Sequence, residues 1–204
     1  MTKLGNGAAF FASVKAANLL GPSLDQSEVD GVNAILAACG GAGWGPKWTA
    51  YALATADRET GGTMKPIKEW GGPSYFTRMY DVQGRDPARA RKMGNTIPGD
   101  GARYCGRGYV QLTWKVNYAK AGEALGYPLT GNPDLAMRPD IAAAIMVRGM
   151  AEGWFTGQKL ADYITATKAD FFNARRIING TDHAAEIAGE AVRYLDALMD
   201  GGWG

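Results

Sequence analysis

Two glutamates ten residues apart are the first candidates for chemistry in this 204-residue chain. Glu59 opens Glu59-Thr60-Gly61-Gly62, and Glu69 sits in Lys68-Glu69-Trp70-Gly71-Gly72. Cleaving a glycosidic bond takes two carboxyl groups: one protonates the leaving oxygen, the other activates water or attacks the sugar. Glu59 falls where a predicted helix runs into glycines, so the helix body fixes the carboxyl at its end. Glu69 follows on the adjoining loop. Spacing alone selects weakly among 20 acidic residues. Glu59 also fits a salt bridge to Arg58 or Lys65, and Glu69 a solvated position.

A second segment adds groups that hold a polar ligand. Gly99 to Trp114 reads Gly-Asp-Gly-Ala-Arg-Tyr-Cys-Gly-Arg-Gly-Tyr-Val-Gln-Leu-Thr-Trp, followed by Asn117-Tyr118. Its glycines permit close backbone approach. The alternation over Tyr109–Thr113 predicts a β-strand with Gln111 and Thr113 on one face. An amide beside a hydroxyl can hold sugar hydroxyls, an N-acetyl group or an attacking water, and Tyr109 and Trp70 can stack on sugar rings. The same segment also fits a structural hairpin with Tyr109 and Trp114 in the core.

In this order Glu-Thr-Gly-Gly, Gly-Arg-Gly-Tyr-Val-Gln-Leu-Thr with Asn-Tyr downstream, and Arg176-Ile177-Ile178-Asn179-Gly180 resemble glycoside hydrolase family 19 over roughly residues 25–199. That family holds chitinases and a compact branch of phage endolysins, and the short length resembles the latter. The resemblance implies a mainly α (α+β) fold, lysozyme-like and two-lobed, with a small β-hairpin. It also implies an inverting mechanism, for which the two carboxyls lie about 6.5–9.5 Å apart. Glu59 matches the general acid, Glu69 the general base, and Thr113 the residue that helps hold the water. Gln111, Asn117, Tyr118 and Asn179 match positions that contact sugar or shape the cleft. The family's acidic residue and Arg behind the acid have Asp182 and Arg193 as their nearest counterparts, with His183 beside them. The expected activity is endolysin-type cleavage of β-1,4 bonds in peptidoglycan, as a muramidase or lysozyme does. Glu59 is expected to rest protonated beside Trp or Tyr.

Composition narrows the chemistry further. Hydrophobic residues make up 46% and charged residues 21%, ordinary for a globular chain, and the net charge is +2. One histidine, His183, excludes a His-rich zinc site of the H-E-x-x-H kind, and no P-loop or G-x-S-x-G elbow occurs. No metal or cofactor is expected. Cys39 and Cys105 read as buried free thiols; a cysteine amidase would need one of them activated by His183. Chitin hydrolysis, a one-glutamate lytic transglycosylase and a non-catalytic wall-binding module compete with the endolysin-type activity. The expected partner is a peptidoglycan or chitin-like glycan, with neither nucleic acid nor membrane, and a monomer is the default. With no signal peptide evident, synthesis in the cytoplasm and release through a holin are expected.

These residues must be positioned by helices. Residues 1–204 read as one catalytic domain, with an N-terminal helical segment over 1–24 and the family 19-like core over 25–199. Helices are predicted over 9–20, from Asp25 through Ala38, over 47–59 behind Pro46, from Asp86-Pro87 to near Gly94, and over 114–125, 139–153, 168–178 and 183–199. Residues 60–85 read as irregular, and disorder is expected only at the ends, such as the tail 201–204.

Overall fold

The capping pair read from the sequence starts the first long helix. Asp25 accepts from the backbone N–H of Glu28, and Glu28 reaches back to the N–H of Asp25, so two orphan donors are satisfied together. These and the following contacts come from a computed structural model that describes residues 2–21 and 23–204. Eleven α-helices occur among them, with two very short strands. The chain divides into two compact units: residues up to Lys65 together with Met146–Gly204, and Pro66–Ile145.

The first unit contains α1 (Gly7–Ala16), α2 (Gln26–Gly41) and α3 (Pro46–Glu59). Pro46 at the first turn of α3 lacks the N–H that would be unpaired there. Nine consecutive residues of α3, Thr49 to Asp57, are buried, so this helix is enclosed on all sides. Its alanines at 50, 52, 54 and 56 let neighbours come close, above all the C-terminal helix Ala184–Asp200. Gly31 of α2 is needed for the same reason: a Cβ there would lie 1.9 Å from the carbonyl oxygen of Met64. The tail expected to be disordered is ordered instead. Leu4 and Trp203 form a β-bridge, Lys3 and Gly204 exchange backbone hydrogen bonds, and the Trp203 indole N–H donates to the carbonyl of Trp44.

The second unit holds β1 (Ile67–Lys68), α4 (Pro73–Tyr80), α5 (Pro87–Lys92), α6 (Asp100–Arg103), β2 (Arg107–Gly108) and α7 (Lys115–Leu125). The sheet is antiparallel, with Ile67 opposite Gly108 and Lys68 opposite Arg107. The strand predicted over Tyr109–Thr113 is a turn. Gly108 and Gln111 adopt φ of 89° and 52°, outside the extended region, and Arg107 and Leu112 exchange both backbone hydrogen bonds across the loop. The hairpin is therefore tighter and earlier than its alternation suggests. Helix α4 falls in the stretch read as irregular.

The boundary between units falls inside α8 (Pro139–Glu152). The chain then returns to the first unit through α9 (Leu160–Tyr163), α10 (Phe171–Ala174), a 3-10 turn over Arg175–Ile177, and α11 (Ala184–Asp200). The helix predicted over 168–178 is thus broken into two short pieces. No helix among the described residues is long and apolar enough to cross a membrane. Cys39 and Cys105 are both buried and unbridged, as read from the sequence.

Candidate active site

In the first unit, the last residue of α3 is Glu59. Its Oε1 accepts from Nη1 of Arg175 at 2.6 Å. The Arg175 side chain is only 5% exposed, that of Glu59 18%. Arg175 is aimed by its own Nε, which donates to the carbonyl of Asp182 at 3.0 Å. A buried guanidinium with two fixed partners makes a rigid fork, which holds the carboxyl in one orientation. The hydrogen-bonding partner of Glu59 is therefore a cation, where burial beside Trp or Tyr was the expectation. The arginine bonded to Glu59 is thus Arg175, while Arg193, the arginine suggested by the motif, donates to the carbonyl of Ala17. Asp182 does take part, but through its backbone oxygen; its exposed carboxylate faces His183. Arg58, next to Glu59 on α3, pairs with Glu186 and contacts the His183 ring. Asn179 is exposed and accepts from the N–H of Gly180.

In the second unit, three donors converge on Glu69. Oε1 accepts from the hydroxyls of Tyr80 at 2.7 Å and Tyr75 at 3.1 Å, both on α4, and Oε2 accepts from the backbone N–H of Gly106 at 3.1 Å. Burial, reinforced by the neighbouring Glu69, pushes the Tyr80 phenol well above its ordinary value, so it stays a donor at every working pH. Gly106 leaves little room for a side chain unless its neighbours shift. A Cβ there would lie 2.6 Å from Oε1 of Gln111 and 3.2 Å from Oε2 of Glu69, so the amide and carboxylate close over the bare Cα. Gln111 is oriented by its Nε2, which donates to the carbonyls of Ile67 and Gly108. The Thr113 hydroxyl donates to the carbonyl of Gln111 at 2.7 Å, and Asn117 Nδ2 donates to the carbonyl of Thr113 at 2.8 Å. These groups form one chain of hydrogen bonds from α7 back to the loop that carries Glu69.

Two residues read as sugar contacts are interior instead. Tyr109 and Tyr118 are each 0% exposed. The Tyr118 hydroxyl donates to the carbonyl of Cys105 and accepts from Nη1 of Arg107. Arg107 is itself buried, and also donates to the carbonyls of Arg103 and Cys105 and to Asp134. It is the strut of the glycine-rich loop, a role that no sequence signal singles out. Trp70, by contrast, is 88% exposed beside Glu69 and free to meet a ligand.

A cysteine dyad does not form among the described residues. The His183 ring contacts Arg58, Asp182 and Glu186, while burial pushes the Cys39 thiol up to about 12 and raises that of Cys105 as well. No group of three or more His, Cys, Asp or Glu among the described residues is arranged to hold a metal ion.

The model of glycoside hydrolase family 19, class I chitinase, matches residues 35–164. The chain belongs to this family. The matched span takes in Glu59, Glu69, Trp70, Gln111, Thr113 and Asn117, whereas Arg175, Asn179, Asp182 and Arg193 lie beyond it. Among the relatives, an endochitinase of Arabidopsis thaliana is 32% identical over 101 residues, which is 47% of this chain and 33% of that protein. Chitinase 11 of Oryza sativa subsp. japonica is 32% identical over 132 residues, covering 52% of this chain and 50% of its own. The chain thus spans between a third and a half of the length of these two relatives. The fold extends further than the sequence similarity. The structure of chitinase C from Streptomyces griseus HUT6037 superposes with a TM-score of 0.62 at 22% identity, covering 95% of this chain and 78% of that one. The mainly helical, lysozyme-like family 19 fold expected from the motifs is therefore the observed one.

Proposed function

We propose that this family 19 chain hydrolyses β-1,4 bonds of an N-acetylated glycan by inversion, with Glu59 as general acid and Glu69 as general base. The observation that carries the reading is the construction around Glu69. Two phenols and a backbone amide fix a carboxylate against a closely packed glycine, within the segment matched to the family. Such a carboxylate is held for a task, because a solvated surface glutamate needs no such cage. Glu59, gripped by buried Arg175 at a helix end, supplies the second carboxyl. Thr113 and Gln111 would hold the attacking water and sugar hydroxyls, Trp70 would stack on a sugar ring, and Asn117 and Asn179 would contact the glycan.

For the substrate we favour peptidoglycan, and with it a wall-degrading, endolysin-type role. The Pro66–Ile145 unit carries eleven Lys and Arg against seven Asp and Glu, a balance suited to a glycan with carboxylate-bearing peptide branches rather than to neutral chitin. Chitin is the second reading, favoured by the names of the relatives. Synthesis in the cytoplasm with release through a membrane pore, action as a monomer and independence of any cofactor belong to the same proposal.

The deciding experiment is mass spectrometry of products from purified peptidoglycan and from chitin hexamer, each digested with wild type and with Glu59→Gln. Hydrolysed muropeptides from the wild type alone support the reading, and the new reducing sugar names the bond. Anhydro ends would indicate a transglycosylase. Cleaved peptides on intact glycan would overturn the glycosidase reading altogether, and products from the hexamer alone would select chitin.

A further inference from the structure

Helix α4 has two faces, and only one is used by Glu69. Tyr75, Phe76 and Tyr80 face the carboxylate and the interior, while Ser74, Thr77 and Arg78 lie along the other side. There they line an open groove of about 500 Å³, and Gln83 and Arg85 complete the wall. The turn that carries Gln83 and Arg85 is pressed onto α4. The N–H of Arg85 donates to the carbonyl of Arg78, and a Cβ on Gly84 would lie 2.3 Å from the carbonyl oxygen of Thr77. Short helix α5 follows this turn in the chain: Ala90 is buried, while Arg89, Arg91 and Lys92 are exposed.

Five exposed cations thus succeed one another along the chain, Arg78 and Arg85 on the groove and Arg89, Arg91 and Lys92 on α5, and none forms an ion pair among the described residues. The two carboxylates of the same stretch are committed to backbone. Asp81 is buried and accepts from the N–H groups of Gly99, Gly101 and Gln83, and Asp86 caps α5 through the N–H of Arg89. Arg89 lies over the Trp114 ring, 5.5 Å from its centroid. The remaining arginines offer planar forks suited to phosphate oxygens, and Ser74, Thr77 and Gln83 add neutral donors and acceptors.

We propose that this face of the Pro66–Ile145 unit docks a polyol-phosphate chain, a linear phosphodiester polymer of the kind anchored in cell envelopes. The groove is open rather than enclosed, which suits a chain passing along it. It contains no aromatic ring on which a nucleic-acid base could stack, and no large apolar side chain to enter a bilayer. Hydroxyl and amide groups between the cations match the hydroxyls between phosphates in a polyol chain. The inference shares with the substrate reading the positive surplus of this unit, but it does not depend on catalysis, since the groove residues are not those that hold Glu59 or Glu69.

The test is fluorescence anisotropy with a labelled synthetic poly(glycerol phosphate) at increasing NaCl. Wild type and Glu59→Gln should bind alike. The triple variant Arg78→Gln/Arg85→Gln/Arg91→Gln should bind at least about ten-fold more weakly, and the slope of log K against log salt should fall by about 2, roughly 0.7 for each phosphate left without its arginine. Its circular dichroism and its activity on a short soluble oligosaccharide should match wild type. Undiminished binding by the triple variant, absence of binding at low salt, or tighter binding of poly-glutamate, single-stranded DNA or anionic vesicles than of poly(glycerol phosphate) would each overturn the proposal.

Discussion

At the scale of single residues, each candidate carboxyl is held by a different device, and the devices respond differently to substitution. Glu59→Gln keeps the shape and a hydrogen-bonding oxygen for Arg175 but cannot donate the catalytic proton, so turnover should fall by about 10²–10⁴-fold; reducing-sugar assays on the preferred glycan measure this. Arg175→Met removes the fork that aims Glu59. We expect kcat to drop with KM little changed, and Arg175→Lys to recover part of the loss by restoring charge without the planar geometry. A KM rise with kcat intact would instead mark Arg175 as a substrate contact. Tyr80→Phe removes the shortest of the three donors to Glu69. A hydrogen bond to a charged group is worth about 1.5–3 kcal/mol, so kcat should fall at least about ten-fold without loss of the near-UV signature of the fold. Thr113→Ala should likewise lower turnover and spare folding; unchanged turnover would remove Thr113 from the water-holding role.

At the scale of elements, the parts legible in the sequence are those whose signals are local. Asp25 with Glu28, Pro46 after Gly45 and Pro87 after Asp86 each mark a helix start within a few residues, and all three helices begin there. Helix α4 escapes such a reading because it follows two glycines and is built from Tyr, Phe and Thr, weak helix formers; its one signal is Pro73 directly after Gly72. The alternation of Tyr109–Thr113 misleads because it arises from a turn that buries Tyr109 and Leu112, with its backbone set by Gly108, Gln111 and the Arg107 strut. Arg175 is not legible as the partner of Glu59, since the two are 116 residues apart and only the folded unit brings them together. The packing that does so is testable at Gly31. Ala in its place would drive a methyl into the Met64 carbonyl, and overpacking of that kind costs about 1–3 kcal/mol. The thermal midpoint of Gly31→Ala should fall by several degrees, with α2 helicity preserved.

At the scale of the whole molecule, a pair of carboxyls, Asp57 buried and Glu190 half-buried, shapes how stability depends on pH near neutrality. Asp57 lies inside α3 with its Oδ2 accepting from the Tyr194 hydroxyl at 2.9 Å, and Glu190 of α11 adjoins it. Both carboxyls are raised above their ordinary values, first by burial. Arg193 offsets this for both and Arg58 for Glu190, while Glu28 adds repulsion at Asp57 and Glu186 at Glu190. A carboxyl raised in the folded state takes up its proton there before it does in the unfolded chain. Its stabilising contribution is complete below the ordinary values of 3.8 and 4.5, and is lost as pH rises through the higher folded ones. Asp25, Asp140 and Asp170 act in the opposite sense: each is lowered, chiefly by hydrogen bonds, so their contribution is lost only as pH falls below 3.8. Stability should therefore rise as pH drops from neutral into the mildly acid range, then fall in stronger acid. Glu190→Gln separates the two limbs. It removes one charge of the pair, so its thermal midpoint at pH 7 should exceed that of wild type by about 2–4 °C, the shift that roughly 1 kcal/mol gives in a chain of this size, and the gain should vanish near pH 4. Calorimetry across that range decides it. A variant no more stable than wild type at pH 7 would mean that Arg193 and Arg58 already neutralise the pair, and that the neutral limb of the profile has another origin.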